Sequence, residues 1–466
     1  MTTPQPILHL EFNELSPRLL ERFMGQGLLP NFKRLHDEAL VCVTDAGEPQ
    51  DRLEPWIQWV TVHSGLPFAE HKVFFLGDGP QCTRPRVWDI LSAHGRANWI
   101  CGSMNTGYAQ GFNGHLLPDP WTVGADAHPQ DEFGPYVRFV RSNVQEHTNA
   151  SARIGLREQL GFLAWMLRHG LSAGTLAAIA RQLARERVSG RFRWQRAVLL
   201  DRLQWDVFRH YFRRGRPDFS TFFLNSTAHF QHVYWRNMEP GEFEVRPSEA
   251  EQDEYADAVL FGYRQMDRIV GQALALAGDR HAVVLSSALG QQPCLKYEGQ
   301  GGKVAYRPHD CDAFRQWAGV AGPCEVQPVM SEEFRLLFPS AAEASAAEAQ
   351  LATVAIDGVR ALTVRREEAA LTVGCGIFSK VAPDARLTAA GSPVRAMSDL
   401  FYAIDGLKSG IHHGEGCLWI RNAGSRRHRR AGNVVPLTSV APTLLALQGI
   451  DASQWMSGTV IREAMA

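Results

Sequence analysis

The stretch "HAVVLSSALGQQP", residues 281–293, holds an apolar run that ends in small and polar residues. So short and continuous an apolar run reads as a strand buried on both faces. Similar runs recur at "PILHLEF" (6–12), "ANWICG" (97–102), "DFSTFFLN" (218–225) and "CLWIRNAG" (417–424). Helical patterns lie between many of them. "SPRLLERFMGQG" (16–27) opens with Ser at the cap and Pro at the first helical position, and residues 250–278 read as one long amphipathic helix ending at Gly278. Strands alternating with helices predict an open, mainly parallel α/β sheet. In such sheets ligands bind beyond the carboxyl ends of the strands. Ser287-Ala288-Leu289-Gly290 therefore falls where chemistry is expected.

The chain as a whole is ordinary. Its 466 residues are 45% hydrophobic and 21% charged, with a net charge of −1, which gives no general attraction to nucleic acid or anionic surfaces. The basic run "SRRHRR" (425–430) reads as a solvated loop. Eight scattered cysteines without a CxxC pair read as reduced, mostly buried thiols. The start "MTTPQPILHLEFNE" lacks the basic and long apolar regions of a signal peptide, and no run of 18 uncharged apolar residues occurs, so a cytoplasmic protein without a spanning helix is expected. Residues 126–215 carry helical periodicity and many arginines but no strand signal. They predict a helical insertion or cap on a core formed by 1–125 and 216–466, its Arg-rich faces read as solvated, with a membrane-surface helix as the alternative. "SAAEASAAEAQL" (340–351) reads as an Ala/Glu helix.

The strand ends also carry a resemblance. "LEFNELSPRLLERFMGQGLLPNFKRL", "EPWIQWVTVHSGLPFAEHKV", "NTGYAQGFNGHLLPDPW", "NSTAHFQHVYW", "IHHGEGCLWIRNAG" and "VVPLTSVAPTLLALQGID" follow one another in the order of motifs in the alkaline phosphatase superfamily. They are most similar to its type I phosphodiesterase/nucleotide pyrophosphatase branch. The resemblance implies a three-layer α/β sandwich with a mainly parallel central sheet and a helical insertion. It also implies two zinc ions and a Thr or Ser nucleophile. Residue by residue, the first-strand Asp falls on Asn13, with Glu14 where Gly is usual. The nucleophile falls on Pro55, beside Glu54; the motif Asp falls on Ala228, the Asp-His pair on Ala288 and Leu289, and the two remaining histidines on His232 and His412. Two zinc ions about 3.5–4 Å apart repel by on the order of 4 kcal/mol per unit-charge pair at an effective dielectric of 20. Only anionic and imidazole ligands offset that repulsion, so the sequence predicts that the two-zinc centre is missing and that no cofactor is needed.

What replaces the missing ligands is not bland. Asn13, Glu14, Glu54, Trp56, Gln58, Asn225, His229, Ser287, Gln291, His412, His413 and Glu415 fall at strand ends or in the matching segments, with His232. Glu14, Glu54, His232 and His412 are the expected catalytic groups, provided burial drives the two carboxyl pKa values apart; the others are expected to bind substrate. A single zinc on Glu14, His232 and His412 is the alternative metal reading. The resemblance points to a phosphoester substrate, whereas two carboxylates flanked by Trp and Gln would also suit a glycosidic bond. Two non-enzymatic readings stand beside these: a ligand-binding relative that holds a glycan or nucleotide, and a protein that docks a partner through its helical insertion.

Overall fold

The computed structural model describes residues 4–122, 124–146, 155–328, 333–377 and 380–465. The strands that frame the cleft are β1 (Ile7–Phe12), β2 (Leu40–Asp45), β3 (Asn98–Cys101), β4 (Gly114–Leu117), β5 (Phe219–Leu224), β6 (Ala282–Ser287), β7 (Gly290–Pro293), β8 (Gly410–His413) and β9 (Glu415–Arg421). One nine-stranded sheet runs in the order Arg429–Arg430, β2, β9, β6, β1, β5, β3, β4, with Val435–Pro436 also on β2. β1 lies parallel between β5 and β6, and β3 parallel between β5 and β4. β9 alone of the labelled sheet strands is antiparallel to its neighbours, β2 and β6. β7 and β8 pair as a separate antiparallel ribbon just beyond β6. This is the mixed, mainly parallel α/β architecture expected from the alternating pattern.

Side chains of β1 alternate between two apolar layers, as the pleat requires. Leu8, Leu10 and Phe12 join one cluster, and Ile7 joins the other. Helices α1 (Pro17–Gly25), α6 (Ala197–Gly215), α7 (Ser226–Met238) and α8 (Ala258–Ala277) pack on the first face, while α2 (Pro55–Ser64) and α9 (Val440–Leu447) pack on the second. The helical segment also contains α3 (Gly134–Glu146), α4 (Leu156–Arg168) and α5 (Ala173–Val188). Phe133, Phe162, Trp165, Met166, Trp205 and Phe208 sink from this segment into the first cluster. Its apolar stripes thus extend the core of the sheet.

Three features depart from the sequence reading. The helix expected over 250–278 is broken into Glu249–Tyr255 and α8, with a turn at Ala256–Asp257, where Tyr255 stacks on Tyr234 of α7. Residues 304–401 build a third apolar cluster under two small antiparallel sheets, including the expected helix at Ala341–Leu351. The basic run 425–430 is only partly a free loop. Arg429–Arg430 pairs with β2, and Arg426 reaches Glu38 and Asp279.

Candidate functional site

The cleft is built around the end of β1. Asn13 N still donates to Leu224 O at 3.0 Å, continuing the ladder by one residue. Glu14 then turns into the left-handed region at φ 56°. That conformation costs a residue with a Cβ roughly 1–2 kcal/mol, and the motif pattern has Gly there. Surrounding bonds enforce it: Gln231 Nε2 donates to Glu14 O at 2.7 Å and Leu15 N donates to Ser287 Oγ at 2.9 Å. Ser287 Oγ in turn donates to Leu289 O at 2.6 Å.

The turn delivers the Glu14 carboxylate, nearly fully buried, to the centre of a polar group. Oε1 accepts from Asn13 Nδ2 at 2.9 Å. Oε2 accepts from Gln291 Nε2 and lies 2.9 Å from His232 Nε2 and 3.4 Å from His412 Nε2. Register explains the last pair, because His412 on β8 sits directly across from Gln291 on β7. Helix periodicity places His232 one turn after Ala228, whose carbonyl accepts from Gln291 Nε2 at 3.1 Å. Burial alone would raise the Glu14 carboxyl, but His232, His412 and the Gln291 amide outweigh it and hold the group down, at about 2. Burial lowers His412 to about 4, against the pull of Glu14.

Glu54 stands at the amino end of α2, just before Pro55 at the first helical position. Its Oε2 is 3.7 Å from His412 Nδ1, too long for a hydrogen bond, and its side chain keeps 34% exposure. Burial of its remaining surface, with the Glu14 charge adding to it against Lys408, pushes its carboxyl up to about 8. The two glutamates thus flank one imidazole with their pKa values driven apart, the condition that acid–base chemistry requires.

Among the described residues Glu14, His232 and His412 are the group able to offer three metal ligands, their donor atoms all within 4.8 Å of one another. The donor set fits a cation. His232 Nδ1 faces the Gly410 carbonyl at 3.2 Å and must donate to it, which turns the Nε2 lone pair of a neutral imidazole toward the Glu14 carboxylate. Two acceptors 2.9 Å apart need a cation or a proton between them. Tetrahedral zinc with ligands at about 2.0–2.1 Å would set its donors about 3.3 Å apart, near the 2.9 and 3.4 Å that separate Glu14 Oε2 from the two imidazole nitrogens. Among the described residues, the other positions picked out by the motif resemblance offer no such set. Ala288 and Leu289 are fully buried and apolar, and Pro55 has no hydroxyl. Both ends of the Asn13 amide are engaged, by Trp59 Nε1 at 2.8 Å and by Glu14 and Asn225.

The other expected residues divide. Asn13, Asn225 and Gln291 join the cluster through the bonds just given. Ser287 ties two turns together. Trp56 donates to Phe74 O at 3.0 Å and Gln58 to Arg52 O at 2.9 Å, which anchors both within the α2 region. His229 is exposed on α7, and His413 accepts from Glu415 N at 3.3 Å at the β8–β9 turn; neither belongs to the three-donor group. Sequence reasoning missed Gln231 and Lys408, and it favoured core over a sugar platform for Trp59. Their neighbours in the sequence, His232 and the "KSGIHH" run, were the available signal.

No family model matches the chain, and no curated protein is similar to it. Solved structures are similar in outline. Murine ectonucleotide pyrophosphatase/phosphodiesterase 5, an inactive form in complex with AMP, is 11% identical with 96% of each chain covered and a TM-score of 0.45. The alkaline phosphatase PafA is 11% identical with all of each chain covered and a TM-score of 0.48. Phosphonoacetate hydrolase from Sinorhizobium meliloti is 13% identical with 96% of each chain covered and a TM-score of 0.43.

Proposed function

We propose that the chain is a divergent hydrolase of phosphoesters on the alkaline phosphatase-superfamily frame, working from the Glu14–His232–His412 cluster and Glu54 in place of a two-zinc centre. The observation that carries this reading is the convergence of the Glu14 carboxylate with two imidazole Nε2 atoms, at 2.9 and 3.4 Å, at the carboxyl end of β1. The order of the family motifs supports the phosphoester. Four ligand or nucleophile positions carrying Pro55, Ala228, Ala288 and Leu289 support the loss of the paired ions and of the covalent nucleophile.

Glu14, His232 and His412 would hold one divalent cation, which when bound would polarise a phosphoryl oxygen. Glu14 supplies the negative charge of that site, and Gln291 and Asn13 fix its orientation. Glu54, whose carboxyl burial raises above the usual carboxylate range and which stays partly open to solvent, donates a proton to the leaving oxygen as the P–O bond breaks. Water adds to phosphorus; one of its protons stays on the phosphate product, and the other restores the Glu54 acid. His412 stands between the two groups, with Nδ1 toward Glu54 and Nε2 toward Glu14.

The test is turnover of aryl phosphodiesters, aryl phosphomonoesters and aryl glycosides, with and without chelator and added zinc. The reading expects phosphoester turnover that falls with chelation. Turnover of glycosides alone would transfer the site to a glycosidic bond, and binding of nucleotide or glycan without turnover of any substrate would make the chain a non-catalytic relative.

A further inference from the structure

The helical segment carries a surface that the proposed chemistry leaves unused. Along α4, Leu156, Leu160, Leu163 and Leu167 recur at helical spacing on one face, and they are 72%, 58%, 42% and 60% exposed. After a short turn, Leu176 and Leu183 repeat the pattern on α5, and Val188 ends it, all three exposed. Each of the two consecutive helices thus presents its own run of exposed apolar residues, the longer one on α4, and such a run marks a contact surface. Its surroundings are cationic. Residues 155–216 contain 13 arginines and four acids, in a chain whose net charge is −1. Two of those acids, Asp201 and Asp206, are buried. At the turn between α4 and α5, Gly170 opens onto a cleft of about 340 Å³ lined also by Asp206, Arg209, His210, Arg213 and Arg214. Asp206 is occupied by Arg209 and by Ser172 N, whereas Arg213 and Arg214 are exposed.

We propose that this corner of the molecule docks on an anionic phospholipid bilayer, with the leucines entering the headgroup–acyl boundary and the arginine cleft receiving lipid phosphate. Charge decides the occupant. Two copies meeting through the same ridge would bring their arginines together, since a two-fold interface pairs each patch with itself; a bilayer supplies the missing anions. No described helix is long and apolar enough to cross a membrane, so the contact lies along the surface.

Pelleting of the full chain with phosphatidylcholine vesicles, with and without phosphatidylglycerol, tests this independently of catalysis. Binding is expected only to the vesicles containing phosphatidylglycerol, and it should weaken with salt. The lipid needed for half-saturation should rise by roughly tenfold or more in Leu160→Glu/Leu163→Glu and in Arg213→Glu/Arg214→Glu, with thermal melting confirming that each variant is folded. Absence of pelleting, or equal binding to both vesicle types, would overturn the proposal. So would a dimer in light scattering that the leucine variant splits while vesicles remain unbound.

Discussion

At Glu14 two opposing requirements meet in one residue. A left-handed φ favours glycine, and a buried carboxylate needs cationic or hydrogen-bonding partners; the chain keeps the charge and supplies the partners. Replacing Glu54 by Gln removes the transferable proton while keeping shape, so turnover should fall by about 10²–10⁴ with the melting temperature little changed. In the unmodified chain, activity should decline as pH rises through the Glu54 pKa, which burial raises above the usual carboxylate range, because Glu54 then loses its proton. A rate profile flat through that pKa, or unchanged turnover in Glu54→Gln, would remove Glu54 from the mechanism. Trp59 acts one step further back, donating to Asn13, which donates to Glu14. Trp59→Phe should weaken turnover roughly tenfold through misplacement, and the buried Asn13 acceptor left without its donor, with the cavity beside it, should cost about 2–4 kcal/mol of stability. A KM left unchanged beside the fallen kcat would mark it as a positioning residue. Equal turnover would make Trp59 core alone.

The α2 element and the short helix after it are joined by His71. Val73 N donates to His71 Nδ1 at 3.1 Å, so the neutral ring carries its proton on Nε2, 3.2 Å from Thr61 Oγ1. A second proton would have to sit on Nδ1, against the Val73 N–H. Burial lowers His71 from 6.5 to about 4. The unfolded chain therefore binds the extra proton between those values. The stability contribution is complete above pH 6.5 and is lost as pH falls to 4, by up to about 3 kcal/mol. Urea midpoints measured from pH 7 to 4.5 should drop, and His71→Gln should flatten part of that slope; an identical slope in the variant would exclude His71 as its source. β1, β3, β5, β6 and β9 were readable because strands buried on both faces are continuous apolar runs, whereas the short β4, β7 and β8 show no such run. The small sheets of residues 304–401 were not readable either, since strands such as Ala355–Ile356 and Val359–Arg360 are too short to show a period.

For the molecule as a whole, three strand ends and the β7–β8 ribbon bring together residues that the sequence separates by as many as 398 positions, from Glu14 to His412. The motif order made His232 and His412 legible as a pair, and the place after β1 singled out Glu14. The sequence could not reveal that Gln291 and His412 face each other across a register, or that Trp59 anchors Asn13, because both depend on tertiary contact. Glu14 is the carboxylate beside the two histidines, and Ala288 and Leu289 are buried in apolar packing. Zinc bound per chain after saturation and desalting tests this most directly. The account predicts one equivalent in the unmodified chain and almost none in His232→Ala or Glu14→Ala; two equivalents, or one that survives both substitutions, would contradict it.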